Sequence, residues 1–323
     1  MEKLLSQVEK YILYTLVFLL PFFIPSISTN AFVIPKLALL AGLIGIVLLV
    51  KAVKIILTGK LDFFVSNYDL PVFLVAASYV LSTYLRTPNK MEAILLPGAA
   101  TIIVGGALLF YLINQLTGEE KKNLGLVLFS GGVIFSLLTL LSFAGVLDKI
   151  PQLPAYIRAK GFTPEGGFLP GAIFLGSILP IGVGLFLSEK EKVRKILLGI
   201  AAAILVFGLG VSIYNLIPGR PFAPRFPSIS FSWSIAVDAL KESPIFGVGP
   251  GNYITAFNRF RPLSYNQTDL WAIKFATASN FYFTLLTEAG MLGFAGIVLT
   301  LLTFYKNAKR EIKEQRLVNW GFA

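Results

Sequence analysis

Uninterrupted apolar windows limit the folds open to this chain more than any other feature. Phe32 to Val50 carries Lys36 as its one polar side chain, and Phe174 to Leu187 carries Ser177. Such windows approach the roughly 20 residues a helix needs to cross about 30 Å of hydrocarbon. The 323 residues are 55% hydrophobic and 14% charged, against roughly 45–50% and about 25% in soluble domains. A soluble core has nowhere to put the excess. Open sheets leave backbone groups unpaired in lipid, so the sequence predicts an all-α, polytopic transmembrane protein forming a single integral membrane domain over residues 1–323.

About eight spans are expected: Tyr11–Ser28, Phe32–Val50, Leu70–Leu85, Leu95–Leu116, Leu124–Leu147, Phe168–Leu187, Ile196–Tyr214 and Asn280–Tyr305. No A-x-A cleavage pattern follows the first apolar run, which therefore reads as an uncleaved anchor. Basic residues set the orientation. With the amino terminus inside, the inner segments hold Lys3, Lys10, Lys51, Lys54, Lys60, Lys121, Lys122, Lys190, Lys192, Arg194, Lys195 and the cations from Lys306 to Arg316. The short outer loops hold only Lys36, Arg86, Lys90, Lys149, Arg158 and Lys160. Positive residues collect on the cytoplasmic side, so both termini are expected inside and the large loop 215–279 outside. Leu317 to Ala323 is apolar, like the first residues of another span, which leaves a truncated carboxyl end and a short tail as equal readings.

The net charge of +11 is spread in short clusters between apolar runs. A nucleic-acid surface needs a basic stripe with interleaved aromatics, so no nucleic-acid partner is expected. The chain has no cysteine and no histidine. Disulfides, thiolate metal sites and imidazole catalysis are thereby excluded. Ion-coupled transporters place ionisable groups at mid-membrane, whereas spans one to seven carry none away from their ends. Glu288 is the exception, eight residues after Asn280 and about 12 Å along a regular helix. It reads either as a buried functional carboxylate or as one tied to a backbone donor where the helix breaks at Gly290.

The loop opens with four prolines in IPGRPFAPRFPS, an extended path presenting Arg220 and Arg225. Over Ser230 to Ser243, Trp233, Ala236, Val237 and Leu240 recur at helical spacing, opposite Ser234, Asp238, Lys241 and Glu242. This predicts an amphipathic helix at the membrane interface, anchored by Trp233 and ended by Pro244. Gly247 to Asn252 reads GVGPGN, a turn whose bare amides suit a phosphate before a short helix starting near Asn252. Arg259 and Arg261 follow among aromatics; guanidinium groups match phosphate oxygens. Both this loop and the second outer loop, 148–167, are rich in Pro, Gly and aromatics, and are expected to fold against the membrane. Arg158 and Lys160 of the second loop are candidates to join the arginines.

The run WSIAVDALKESPIFGVGPGNY, followed by ASNFYFTLLTEAGMLG, resembles the signature region of the O-antigen ligase and polymerase family of membrane glycosyltransferases. Trp233, Pro244, Gly247, Gly249, Gly251, Asn252, Asn280, Glu288, Gly290 and Gly293 fill the family's positions. The resemblance is specific over about 65 residues and hydropathic elsewhere. It implies a metal-independent enzyme of the bacterial cytoplasmic membrane, without cofactor. Such an enzyme takes a glycan from undecaprenyl diphosphate and passes it to a polysaccharide, lipid or protein acceptor. It further implies a diphosphate site at Arg220, Arg225, Arg259, Arg261, Gly249, Gly251 and Asn252, and catalytic positions at Glu288, Ser279 and Asn280.

Two positions depart from the family pattern. Ser279 stands where the ligases carry a His thought to activate the acceptor, so a base must be Glu288, Asp269, Glu242 or the leaving diphosphate. Ile229 and Ser230 stand where an arginine often precedes the Trp, with Arg225 the nearest substitute. The alternatives are a non-catalytic membrane protein that binds lipid-linked glycan and, more distantly, a solute transporter.

Overall fold

The structure is a computed structural model that describes residues 2–313 apart from 27, 29, 62, 96 and 97. The apolar stretch Leu317 to Ala323 lies outside the described residues. Twelve α-helices follow in order among the described residues: α1 (Glu2–Leu19), α2 (Ile34–Thr58), α3 (Asp69–Leu85), α4 (Lys90–Ile94), α5 (Ala99–Asn114), α6 (Gly118–Phe143), α7 (Ala155–Arg158), α8 (Phe168–Ser188), α9 (Lys192–Leu216), α10 (Ile229–Glu242), α11 (Tyr253–Phe260) and α12 (Phe281–Lys313). No strand occurs among the described residues.

Among the described residues, six candidates are long and apolar enough to cross a membrane: Ile34–Thr58, Lys90–Asn114 (which takes in α4 and α5), Gly118–Phe143, Phe168–Ser188, Lys192–Leu216 and Phe281–Arg310; Asp69–Leu85 is a shorter apolar helix. Together with the composition they mark a helical membrane protein. The first expected span, Tyr11–Ser28, is realised differently. Its helix starts early, at Glu2, and gives way to a turn at Leu20 to Phe22. Pro21 and Pro25 account for the early stop, since each lacks an N–H and disfavours helix in the residue before it.

The chain forms two compact units, one of Met1–Asp62, Gln115–Pro224 and Ala308–Ala323, the other of Phe63–Asn114 and Arg225–Asn307. In the first unit α6, α8 and α9 pack together around Phe129, Phe135, Leu175, Ile178, Leu185 and Leu205, and α1 packs on α2 and α6. Small residues set the spacing: a side chain on Gly132 would meet Ile178 at 3.0 Å, and one on Gly208 would meet Ser136 at 2.6 Å. At one end Lys51 pairs with Glu9 at 3.4 Å, Lys10 with Glu120 at 3.8 Å, and Lys54 donates to Ser6 at 2.8 Å. At the other end of α2, the buried Lys36 pairs with Glu165 at 2.8 Å and donates to Pro164 O at 2.9 Å. That contact ties the start of α2 to the loop before α8.

In the second unit α3 packs on α5, and α12 crosses α3 through glycines. A side chain on Gly293 would meet Ser78 Oγ at 2.9 Å, and one on Gly296 would meet Val75 at 2.6 Å. The residues expected as the large loop divide between the units: 215–224 belong to the first and 225–279 to the second. The latter part is folded, with its own core of Ile235, Tyr253, Ala256, Phe257, Tyr265, Phe275 and Ala278. This core takes one face of α10. Ser232, Ile235, Ala236 and Ala239 are buried, while Trp233 is 53% exposed, its ring 5.8 Å from that of Phe283. Small residues let α11 approach α10 closely, and the indole is too large to lie beneath it.

Candidate functional site

The two segments that carry the motif meet in the second unit at a break in α12. Gly290 has φ 69° and ψ −164°, which interrupts the helix. A break frees carbonyls before it and amides after it, and in a membrane protein these need partners. The segment from Pro244 to Gly249 supplies them. Val248 N donates to Thr287 O at 2.8 Å and Gly249 N to Glu288 O at 3.1 Å. In return Met291 N donates to Pro244 O at 2.9 Å and Leu292 N to Ile245 O at 3.3 Å. The Ser82 hydroxyl, in the last turn of α3, lies 2.6 Å from Phe246 O and 2.7 Å from Glu288 O, sharing its proton between them.

The glycines are explained by this junction. Gly247, Gly249 and Gly251 have φ of 64°, 103° and 76°, a region only glycine enters freely. A side chain on Gly247 would strike Thr287 O, one on Gly249 would strike Thr87, and one on Gly251 would meet the backbone of Glu92 at 3.2 Å. The amides are also spent inward: Gly247 N bonds Ser243 O at 3.0 Å, and Asn252 N bonds Gly249 O at 3.2 Å. The buried Asn252 side chain turns back on Pro250 O at 3.2 Å. Gly249 and Asn252, expected with Gly251 as part of a phosphate cradle, bond within the protein here and hold backbone against backbone.

Glu288 is 4% exposed. Its carboxylate accepts the Tyr253 N–H at 3.4 Å, with the Gly251 amide turned to it as well. Of the two readings the sequence left open, the structure has the carboxylate on backbone donors at the start of α11, two residues before the break. No arginine pairs with it among the contacts described. Asn280 Oδ1 accepts the Phe283 N–H at 3.0 Å and so caps α12. Ser279 N donates to Ser232 Oγ at 2.9 Å, fastening the start of α12 to α10. The Tyr253 hydroxyl is buried beside Ser232 without a hydrogen bond of ordinary geometry, and burial pushes its phenol up to about 12.

The cations lie around the junction rather than in it. Arg86, at the end of α3, is exposed and donates from Nε to Gly247 O at 3.3 Å. Arg259 Nη2 pairs with Glu242 Oε1 at 2.6 Å, both well exposed, and lies 4.9 Å from the Phe260 ring. Arg261 stands 5.6 Å from the Tyr265 ring and 5.9 Å from that of Phe257. Arg225 and Asp269 are exposed. Arg220 belongs to the first unit, stacked 4.0 Å over Tyr214. In that unit a pocket of about 420 Å³ is lined by Lys160 with Phe32, Tyr156, Phe162, Phe168 and Phe222. Among the described residues no group of three or more Asp or Glu side chains is placed to hold a metal ion.

Sequence reasoning missed Ser82, Arg86 and Tyr253. Ser78 and Ser82 were readable as a polar row, one helical turn apart within an apolar helix, and both are fully buried. Nothing marked Arg86 beyond its charge. No family model, no curated protein and no solved structure matches the chain.

Proposed function

We propose that this protein is a membrane glycosyltransferase of the O-antigen ligase and polymerase type. It moves a glycan from an undecaprenyl-diphosphate carrier to an acceptor outside the cytoplasmic membrane. The observation that carries the reading is the merging of the two motif segments, Trp233 to Asn252 and Asn280 to Gly293, into one backbone junction. The topology proposed with it is about eight membrane passes, both termini inside, and the segment from Arg225 to Ser279 outside, following the distribution of lysine and arginine.

In this reading the acceptor oxygen bonds to the anomeric carbon as the bond to the diphosphate breaks. The electron pair leaves on the diphosphate, whose growing charge Arg259, Arg261 and Arg86 stabilise. The hydroxyl proton passes to Glu242, an exposed carboxylate, or to the leaving diphosphate. Glu288, Asn280 and Ser279 are positioning residues: they hold α11 and the start of α12 on which the arginine segment is carried.

The test is transfer from a diphosphate-linked oligosaccharide by purified protein. Arg259→Ala should reduce kcat/KM by about tenfold, the loss of one charge-assisted contact. Equal product from wild type and from an Arg259→Ala, Arg86→Ala double variant would sink the site assignment. A second reading, a binder of lipid-linked glycan without turnover, is favoured by the burial of Glu288 and by Ser279 in the acid-base position. It is rejected by any transfer above background.

A further inference from the structure

We propose that the first unit holds an anionic bilayer phospholipid in the pocket where α2 and α8 begin, its phosphodiester on Lys160 and the head of one acyl chain against the aromatic wall. The inference is independent of the glycosyltransferase reading. It starts from place. The pocket, about 420 Å³, falls within the range of roughly 300–1,000 Å³ common for small-molecule sites. Two of its wall residues mark the starts of helices long enough to span, Phe32 just before α2 and Phe168 as the first residue of α8, and the rest come from the segment before α8 and from Phe222. The end of a span is the depth at which hydrocarbon gives way to headgroups, and aromatic side chains gather there.

The lining fits an amphiphile. Phe32 meets Tyr156 edge-on at 5.9 Å, and Phe168 lies 5.5 Å from Phe222. Gly161 and Gly166 bring the rings onto the loop backbone: a side chain on Gly161 would meet the Phe222 ring at 2.7 Å, and one on Gly166 would meet Phe32 at 2.9 Å. The hydroxyls in the wall are already spent as donors, Tyr156 on Ile24 O at 2.6 Å and Thr163 on Gly167 O at 2.8 Å. A sugar, with a polar group on nearly every carbon, finds few partners there. A chain of methylenes needs none.

The charge around the pocket is positive. Lys36 is neutralised by Glu165, which leaves Lys160 in the lining and Arg158 two residues before it. The Arg158 Nε is buried without a hydrogen-bond partner. Arg220 sits two residues from Phe222, on the segment that closes the pocket. One ammonium group at headgroup depth contributes roughly a fivefold preference for an anionic over a zwitterionic lipid.

The experiment is native mass spectrometry of the purified full chain, titrated with phosphatidylglycerol or with phosphatidylcholine of the same acyl chains. The expected result is one phosphatidylglycerol retained with about fivefold preference, a preference that Lys160→Gln removes. Ala159→Phe, which fills the pocket mouth, should lower retention of both lipids while leaving the thermal transition unchanged. Equal retention of the two lipids by the wild type overturns the proposal, as does an unaltered preference in Lys160→Gln or unaltered retention in Ala159→Phe. Displacement by inorganic phosphate would assign the site to a free anion, and stoichiometric displacement by a polyprenyl phosphate would assign it to an isoprenoid carrier; either result overturns it.

Discussion

Gly247 and Gly290 face each other so closely that a Cβ on Gly290 would stand 2.7 Å from the amide nitrogen of Gly247. Both residues have positive φ, so neither position accepts another residue without backbone strain. Replacing Gly290 by Ala should destabilise the protein by about 3 kcal/mol, combining strain with the clash on Ile245 O. Thermal unfolding in detergent checks this, with Gly176→Ala, which meets nothing within 4 Å, as the control that should leave the transition in place.

The Ser82 hydroxyl serves two carbonyls that belong to opposite sides of the junction, those of Phe246 and Glu288. Ser82→Ala takes its donor from the Phe246 carbonyl and leaves the Glu288 carbonyl with the Gly249 N–H alone, and should cost about 1–2 kcal/mol. Faster hydrogen exchange should follow at Val248 and Gly249, whose amides are part of the same junction. Unchanged exchange there would remove Ser82 from the account.

Glu288 offers an acceptor to the amide of Tyr253. Glu288→Gln keeps an acceptor of nearly the same shape, whereas Glu288→Ala removes it and opens a cavity. The thermal transition should therefore stay close to wild type for Gln and fall by about 2–3 kcal/mol in stability for Ala. If transfer is measurable, Gln should retain it; its loss in a folded Gln variant would mean that the charge on Glu288 itself takes part in the chemistry.

How much of this was legible beforehand differs by element. The helices α3, α8 and α9 were readable because a continuous apolar run of this length defines a helix almost alone, although α3 is shorter than the helices able to cross a membrane. The first span was misjudged at its far end because apolar residues continue past Pro21 and Pro25, and hydropathy does not register a missing N–H. The GVGPGN segment was recognisable as a special backbone conformation, but its partner was not. A glycine turn that cradles an anion and one that cradles a broken helix use the same bare amides, and only the fold distinguishes them. The protein-facing side of α10 was not legible for a related reason: periodicity locates an apolar stripe, while the small buried residues Ser232 and Ala239 lie beside it. The core joins Tyr253 and Phe257, one helical turn apart on α11, to Tyr265 and Phe275, which lie beyond that helix and share no helical or strand period.

Lys36 and Glu165 join the start of α2 to the loop before α8. Lys36→Met leaves the Glu165 carboxylate without its counter-charge and should cost about 2 kcal/mol at neutral pH, less than the roughly 3–5 of a fully buried pair because Glu165 is partly exposed. Burial already holds the Glu165 pKa above its usual value, and Lys36 pulls it back. Removing Lys36 raises it further. A carboxyl whose pKa is higher in the folded than in the unfolded chain costs stability once the pH exceeds the unfolded value, so the defect should shrink as the pH falls and Glu165 takes up a proton. Thermal scans of the variant across mildly acidic to neutral pH check the sign.

Arg259 and Glu242 are both well exposed at 2.6 Å, and such a pair contributes only about 0–1 kcal/mol to stability. Arg259→Ala should therefore leave the thermal transition unmoved while weakening retention of a diphosphate-linked lipid by about tenfold. A matching loss of stability would place Arg259 in the scaffold instead.

The contacts that cross the α12 break between Pro244–Gly249 and Thr287–Leu292 are made by main-chain atoms, and main-chain atoms are the same in every residue but proline. The exposed side chains of Ile245 and Met291 are consequently at liberty to drift over evolutionary time, while the spacing between Pro244 and the left-handed glycines is not. Distant kin of this chain are best sought by the intervals separating those glycines, with little weight placed on the letters between them.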